Sequence, residues 1–272
     1  MWPLIAMENA LFGEPALDWE ARCAVIAEAG FAGIYATPYP LVRTEFARLA
    51  RLGEAPARHG LKLAGVYANL DLALSAESEA AGLVTHLFET VTGVSRVELS
   101  FKCSQPTVLP ADLAGAIAAR LEPLLAIADR RGFDIALYHH SFYPLETPAQ
   151  AEAIVRRIGH PRLKFIFATS HAYALAPAED VLGQLRACAP RIASFNICGC
   201  RRPAPPAKCR HFPLDEGDFD LAPLFAALGE SSYRGEVIVQ GHGWQGDLRA
   251  ALRRSVAAFR NLRLRALVIR DH

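Results

Sequence analysis

Eight short apolar runs recur along this chain, and a stretch with helical spacing follows each of them. The apolar runs lie at residues 3–7, 33–37, 61–68, 96–101, 134–140, 163–168, 192–198 and 235–240. Near-continuous apolar strands that alternate with helices are typical of a parallel sheet whose outer face the helices cover. This alternation is the strongest constraint on the fold, and it predicts the α/β class.

Eight strand–helix units in 272 residues match the usual size of a TIM barrel. An open, doubly wound sheet is the alternative. The turn after the first strand, "LFGEP", has a single glycine and so lacks the glycine-rich loop of a dinucleotide fold. We therefore predict one (β/α)8 TIM-barrel domain over residues 1–272. Asp18 should begin its first helix, and Gly132 should end the long helix before the fifth strand.

Composition excludes several classes of function. The formal net charge is +1, which gives no basic excess for nucleic acid. No apolar run reaches the roughly 18 to 20 residues of a membrane span. The first residues, "MWPLIAMENALFG", do not read as a signal peptide, and the six cysteines are scattered. We expect a cytoplasmic protein with reduced thiols and no nucleic-acid or membrane partner.

Polar residues cluster where the predicted strands end, which is the active face of a TIM barrel. Four of the nine histidines fall at these ends. The polar residues at the strand ends are Glu8, Asn9, Tyr39, Tyr67, Asn69, Glu98, Lys102, Tyr138, His139, His140, Thr169, Ser170, His171, Asn196, Gln240 and His242. Together they predict a polar pocket at this face.

Several stretches resemble the xylose isomerase-like TIM barrels, the sugar phosphate isomerase/epimerase superfamily. They are "GFAGIYAT", "HGLKLAGVYANL", "RGFDIALYHH", "HPRLKFIFATSHA", "APRIASFNI" and "PLDEGDFDLAPLFAALGESSYRGEVIVQ". The resemblance covers essentially the whole chain. It implies a cytoplasmic enzyme of carbohydrate metabolism that acts on a sugar, keto-sugar or sugar phosphate by isomerisation, epimerisation or a related elimination.

The resemblance also implies a divalent metal held by Glu, Asp, His and Glu at the ends of strands five to eight. The corresponding positions here hold Tyr138, Ala168, Asn196 and Gln240. Alanine has no donor atom, and neutral amides do not balance the charge of a dication as carboxylates do. We therefore expect no metal at the usual site, and the family's metal-bound glutamate bases are missing with it.

Histidines could replace that chemistry, because they titrate near neutrality. We predict His140, His171, Glu98 and Tyr138 as catalytic residues. By pleat alternation His140 should point into the barrel mouth and His139 away from it. Asn196, Gln240, Arg202 and His242 are predicted to bind substrate, with Arg202 placed where the resemblance implies a substrate-binding arginine.

Three alternatives remain open. His140, His171, His242 and Glu98 could form a relocated zinc or manganese site. The barrel could also have lost catalysis and bind a carbohydrate-like ligand or act as a partner subunit. Finally, Cys198, Cys200, Cys209 and His211 share one loop with ligand types suited to zinc, although ordinary thiols are the simpler interpretation. Self-association into a homo-oligomer is possible for a barrel of this type.

Overall fold

The computed structural model describes residues 2–105, 109–203 and 208–268, and its main feature is a nine-membered, parallel sheet. Each strand coincides with an apolar run of the sequence. The sheet contains β1 (Leu4–Met7), β2 (Gly33–Ala36), β3 (Lys62–Asp71), β4 (Arg96–Lys102), β5 (Asp134–Leu137), β6 (Leu163–Phe165), β7 (Phe167–Ala168), β8 (Ser194–Ile197) and β11 (Glu236–Val239). A separate antiparallel hairpin pairs β9 (Gly199–Arg201) with β10 (Arg210–Phe212).

The sheet closes into a barrel through its sixth strand, which Ile166 divides into β6 and β7. The first piece pairs with β5 and the second with β8, so the order runs β6–β5–β4–β3–β2–β1–β11–β8–β7. Because β6 and β7 are one segment of chain, the two ends of this order meet. The predicted TIM barrel is confirmed.

Helices cover the outside of the barrel. In the described residues they are α1 (Trp19–Ala29), α2 (Phe46–Leu49), α3 (Glu54–Arg58), α4 (Glu79–Thr90), α5 (Leu113–Arg131), α6 (Pro148–Ile158), α7 (Thr169–Leu175), α8 (Ala178–Cys188), α9 (Ala222–Glu230) and α10 (Leu248–Val268). None of the helices in these ranges combines the length and apolar character that a membrane crossing requires.

The predicted helix ends are confirmed. The Asp18 side chain accepts a hydrogen bond from the Ala21 N–H at the start of α1, and Gly132 ends α5 with φ 80°. The sixth strand differs from the prediction. Residues 169–171, expected at a strand end, instead form the first turn of α7, which begins directly after β7.

Apolar side chains pack on both faces of the sheet, as they must when helices cover it. The larger core lies between strands and helices and includes Phe88, Phe195 and Phe225. A smaller cluster fills the inside of the barrel. Its buried members are Ile5, Met7, Tyr35, Ala64, Ala136, Tyr138, Ile166, Ala168 and Ile238.

A charged network shares the barrel interior with this cluster. Glu98, which is fully buried, lies 3.1 Å from the Arg96 guanidinium, and Arg96 also lies 2.6 Å from Glu236. The Ser194 hydroxyl and the Asn196 side-chain N–H donate to Glu98 at 2.7 Å and 3.0 Å. These contacts join β4, β8 and β11 through the centre of the barrel, and they place both Glu98 and Glu236 beside the Arg96 guanidinium.

We expect Arg96→Met to lower the free energy of unfolding by about 3–5 kcal/mol, because it leaves the carboxylates of Glu98 and Glu236 buried without this cation. Urea unfolding followed by circular dichroism measures the effect. The control is Arg51→Met, which breaks an exposed pair with Glu54 and should leave the free energy of unfolding close to the parental value. Equal losses in the two variants would show that the buried network does not stabilise the barrel.

Candidate functional site

A cavity of about 310 Å³ opens at the carboxyl ends of the barrel strands. Side chains at or just beyond the ends of β1, β2, β3, β5, β7 and β11 line it, together with part of the β9–β10 hairpin. The lining includes Asn9, Thr37, Tyr39, Tyr67, Asn69, Tyr138, His140, Tyr143, Ser170, His171, Lys208, Cys209, His211, Gln240 and His242. Most of these were predicted from the strand ends.

The adjacent histidines after β5 have different surroundings. His139 is fully buried: its Nδ1 lies 3.0 Å from the Glu146 carbonyl, and its Nε2 accepts from the Ala168 N–H at 2.9 Å. Both ring nitrogens therefore have partners, one in β7 and one in the loop that follows β5. His140 instead lines the cavity. The structure thus has His140 facing the mouth and His139 turned away from it.

Ser141 contacts two of the histidines in the cavity wall, His140 and His171. Its carbonyl lies 2.8 Å from His140 Nδ1, and its hydroxyl lies 3.1 Å from His171 Nδ1. A carbonyl only accepts hydrogen bonds, so Nδ1 of His140 carries the proton and the neutral ring keeps its free electron pair on Nε2. The His140 and His171 rings are neighbours, with centroids 3.8 Å apart, and Tyr143 stacks on His140 at 3.9 Å.

Burial keeps these histidines neutral. It lowers the pKa of His140 to about 4, and it also lowers the pKa of His171, with a further contribution from neighbouring His140. Burial likewise lowers the pKa of His211 to about 4. At neutral pH these three imidazoles are therefore uncharged, and they accept protons more readily than they donate them.

Tyr138 and Gln240 form one hydrogen-bonded unit across the mouth. The Gln240 side-chain N–H donates to the Tyr138 hydroxyl oxygen, and Ser170 donates to the Gln240 carbonyl oxygen at 3.3 Å. Because the phenol oxygen accepts from Gln240, its own proton remains available to a ligand. Burial raises the pKa of Tyr138 well above its usual range, so the phenol stays protonated.

Two predicted site residues lie below the cavity and are not part of its lining. Glu98 and Asn196 hydrogen-bond to each other inside the barrel, and Asn196 also accepts from Ser194 at 3.1 Å. Both side chains point into the barrel, but they lie one layer of side chains below those that line the cavity. Grouping Glu98 with His140 and His171 is therefore not the arrangement in the structure, because Arg96 holds this carboxylate away from the mouth.

Arg202 also lies outside the cavity lining. Its guanidinium donates to the carbonyls of Tyr173 and Ala176 at 3.0 Å and 2.9 Å, at the end of α7, and lies over the Tyr173 ring. Carbonyls at a helix C-terminus need such donors. Arg202 therefore caps a helix here, which differs from the substrate contact predicted for it.

His242 lines the cavity as predicted, and His211 and Lys208 join it from the β9–β10 hairpin. The sequence placed His211 only in a possible zinc loop. The antiparallel pairing of β10 with β9 is what brings His211 to the mouth, and the sequence analysis did not predict that hairpin. Cys198 and Cys200 lie with their sulfur atoms 3.4 Å apart, and all six cysteines are free thiols.

The residues present do not fit the family's usual metal. Tyr138 is a protonated phenol, Ala168 has no donor, and the amides of Asn196 and Gln240 are engaged with Glu98 and Tyr138. Within the described ranges, no three His, Cys, Asp or Glu side chains are grouped so that they could hold a metal ion. Among the described residues, neither the relocated site with Glu98 nor the loop from Cys198 to His211 forms such a group.

Comparisons with known proteins agree with this architecture. A family model described as xylose isomerase-like TIM barrel matches residues 23–262. A search of curated protein sequences finds no match. In solved structures, L-ribulose 3-epimerase superposes with a TM-score of 0.76 at 18% identity, covering 100% of this chain and 97% of that one.

Two further solved structures are similar in fold. The apo form of 3-keto-D-glucoside 4-epimerase from E. coli gives a TM-score of 0.74 at 17% identity, covering 96% of this chain and 100% of that one. The probable 3-DHS dehydratase of Bacillus anthracis gives 0.71 at 12% identity, covering 96% and 99%. These likenesses establish the fold.

As pH is lowered, the folded protein should begin to lose stability at a higher pH than titration of its carboxylates alone would cause. The pKa of His139 is lowered to about 4 by burial, so the unfolded chain binds a proton between about pH 6.5 and pH 4 that the folded chain does not. Stability should therefore fall as pH falls through that window. We expect urea midpoints to decline between about pH 7 and pH 5.

The variant His139→Asn separates this contribution. It should lose about 1–3 kcal/mol at neutral pH because the Ala168 N–H and the Glu146 carbonyl lose their partner, yet decline less than the parent on acidification. His86→Asn, at an exposed position on α4, is the control and should change neither value. An acid dependence that His139→Asn leaves as steep as in the parent would contradict the interpretation.

Proposed function

Because the chain belongs to the xylose isomerase-like TIM barrel family, we propose that it is an enzyme that moves a proton on a small keto-sugar or related polyhydroxylated substrate, using histidine in place of a metal-bound glutamate. The observation that supports this most directly is the His140 ring. Its Nδ1 is fixed on a backbone carbonyl, which leaves the electron pair on Nε2, and the residue lines the cavity at the barrel mouth.

The size and polarity of the cavity suit this class of substrate. At about 310 Å³ it lies at the lower end of the range for small-molecule sites. Hydroxyl, amide and imidazole groups surround it, and these exchange hydrogen bonds with sugar hydroxyls. Two neighbours in fold are named as a ribulose 3-epimerase and a 3-keto-glucoside 4-epimerase, and each name places the reacting carbon beside a carbonyl.

The proposed step is proton abstraction next to the carbonyl. His140 Nε2 takes the proton from carbon, the electron pair of that C–H bond forms the new C=C bond, and the carbonyl oxygen becomes an enolate. The Tyr138 phenol, polarised by the N–H of Gln240, donates a hydrogen bond to that oxygen. In an isomerisation, His140 returns its proton to the former carbonyl carbon while the proton of the α-hydroxyl passes to the enolate oxygen, so the carbonyl moves by one carbon. In an elimination, the enolate re-forms the carbonyl, a C=C bond forms between the α and β carbons, and the β-hydroxyl takes the proton from His140 and leaves as water.

The position of the second histidine favours those two outcomes over a two-base epimerisation. Inversion at carbon by two bases needs them on opposite faces of the substrate. His140 and His171 instead lie side by side, with ring centroids 3.8 Å apart. We propose that His171 assists on the same face, by accepting a hydrogen bond from a substrate hydroxyl.

His140→Ala should lower kcat/KM for an active keto-sugar by about 10²–10⁴, because it removes the general base. His171→Ala should also reduce kcat, and the surface variant His86→Ala should retain parental activity. A panel of aldoses, ketoses, their phosphates and 3-keto-sugars, incubated in D2O and followed by NMR, detects proton exchange at carbon even without net turnover.

Tight ligand binding with no exchange across the panel would favour the alternative of a non-catalytic carbohydrate-binding barrel. Full activity in His140→Ala would remove this residue from the mechanism.

The pH profile of kcat/KM should reflect the lowered pKa of His140. A base acts in its neutral form, so activity should persist as pH falls through 6.5 and decline only toward about pH 4. A neutral substrate keeps its own titration out of the profile. Dialysis against EDTA should leave the rate unchanged, since the site offers no donor set for a dication. An acid limb near pH 6.5, or loss of activity that only a metal restores, would contradict this proposal.

A further inference from the structure

A second cavity, of about 660 Å³, lies beside the first on the far side of the β9–β10 hairpin. The two cavities share four lining residues, Lys208, Cys209, His211 and His242. The start of α10 and the loop before it form the opposite wall. The second cavity is therefore next to the barrel mouth, with His211 and His242 lining both.

Two buried ring nitrogens on this wall have no hydrogen-bond partner within the described ranges. Trp244, which is 4% exposed, has an unpaired Nε1–H, and His211 has an unpaired Nδ1. Burying such a group without a partner costs about 1–3 kcal/mol, so native proteins seldom leave one unsatisfied. The other two tryptophans follow the rule: Trp2 and Trp19 donate to carbonyls at 3.2 Å and 3.1 Å.

The charge around these nitrogens is positive. Lys208 and Arg210 line the cavity, and neither makes an ion pair with any described carboxylate. The acidic residues of the wall are already engaged. Glu216 pairs with Arg254, and Asp247 accepts from the Ala250 N–H at the start of α10. Lys208 and Arg210 are therefore the cations of this lining that have no carboxylate partner among the described residues.

We propose that the second cavity binds an oxyanion, the phosphate or carboxylate group at the non-reacting end of the substrate. Lys208 and Arg210 would bind it and balance its charge, and the ring of Trp244, which lines the same cavity, would report its presence. Binding of the anion itself needs only the second cavity. The assignment of that anion to the substrate rests on the proposed function, and it makes the substrate class a sugar phosphate or a sugar acid.

Indole N–H resonances test the site directly in the full-length protein. Titration with inorganic phosphate should shift the Trp244 resonance saturably in 1H–15N spectra and leave those of Trp2 and Trp19 in place. Acetate tests the carboxylate form in the same way, and chloride at matched ionic strength is the control. A saturable shift with either oxyanion supports the site. A Trp244 chemical shift that does not change with either oxyanion, or that changes as much with chloride, overturns it.

Two variants on one hairpin provide a matched comparison. Arg210 and Arg201 are opposite each other in the β9–β10 register and both lie over the Phe212 ring, but only Arg210 lines the cavity. Arg210→Gln should weaken the oxyanion by roughly tenfold, and Arg201→Gln should leave its affinity unchanged. Both side chains are exposed, so neither change threatens folding. Equal effects would show general electrostatics in place of a built site.

Activity measurements separate the two proposals. If the substrate carries the anion, Arg210→Gln should raise KM for the phosphorylated or acidic substrate by about tenfold and leave kcat near the parental value. Oxyanion binding without turnover on any sugar would retain the site and reject the enzyme. Turnover of a neutral sugar with no oxyanion shift at Trp244 would retain the enzyme and reject the site.

Discussion

The buried carboxylate of Glu98 is the constraint on which the arrangement of this barrel depends. A charge at the centre of a closed sheet must be compensated, and Arg96, Ser194 and Asn196 compensate it from β4 and β8. Glu236 extends the network through Arg96 to β11. The same contacts hold the amide of Asn196 below the mouth. One interaction therefore stabilises the closed barrel and withdraws one candidate ligand from its active face.

The chemistry above that layer follows from the absence of carboxylates in the described lining of the cavity. Tyr138 and Gln240 bind each other, and burial keeps the phenol protonated and the histidines neutral. A cavity of this kind favours neutral polar ligands and proton transfer between uncharged groups. Ser141 adds order to it, because its carbonyl fixes the ring of His140 while its hydroxyl contacts His171.

The β9–β10 hairpin gives the mouth a character that the barrel alone does not supply. It adds His211 and Lys208 to the wall and separates two cavities that share those residues. Arg202, which follows β9, does not line the cavity, because its guanidinium caps the end of α7. In TIM barrels such loops determine what is bound, while the strands determine where it lies. Here the loop brings positive charge to an otherwise uncharged site.

The sequence by itself determined the eightfold alternation, the barrel, and the strand ends followed by Tyr138, His140 and Gln240, because strand periodicity fixes which side chains face inward. His171 reached the same cavity from the first turn of α7, which the periodicity did not predict. It could not determine depth or pairing. Glu98 and Asn196 face inward as well, yet only the packed barrel shows that Arg96 holds Glu98 one layer below the mouth. The β9–β10 hairpin places His211 in the cavity wall, and the carbonyls at the end of α7 hold Arg202 outside it. Those contacts join residues distant in the chain, so only the tertiary structure decided them.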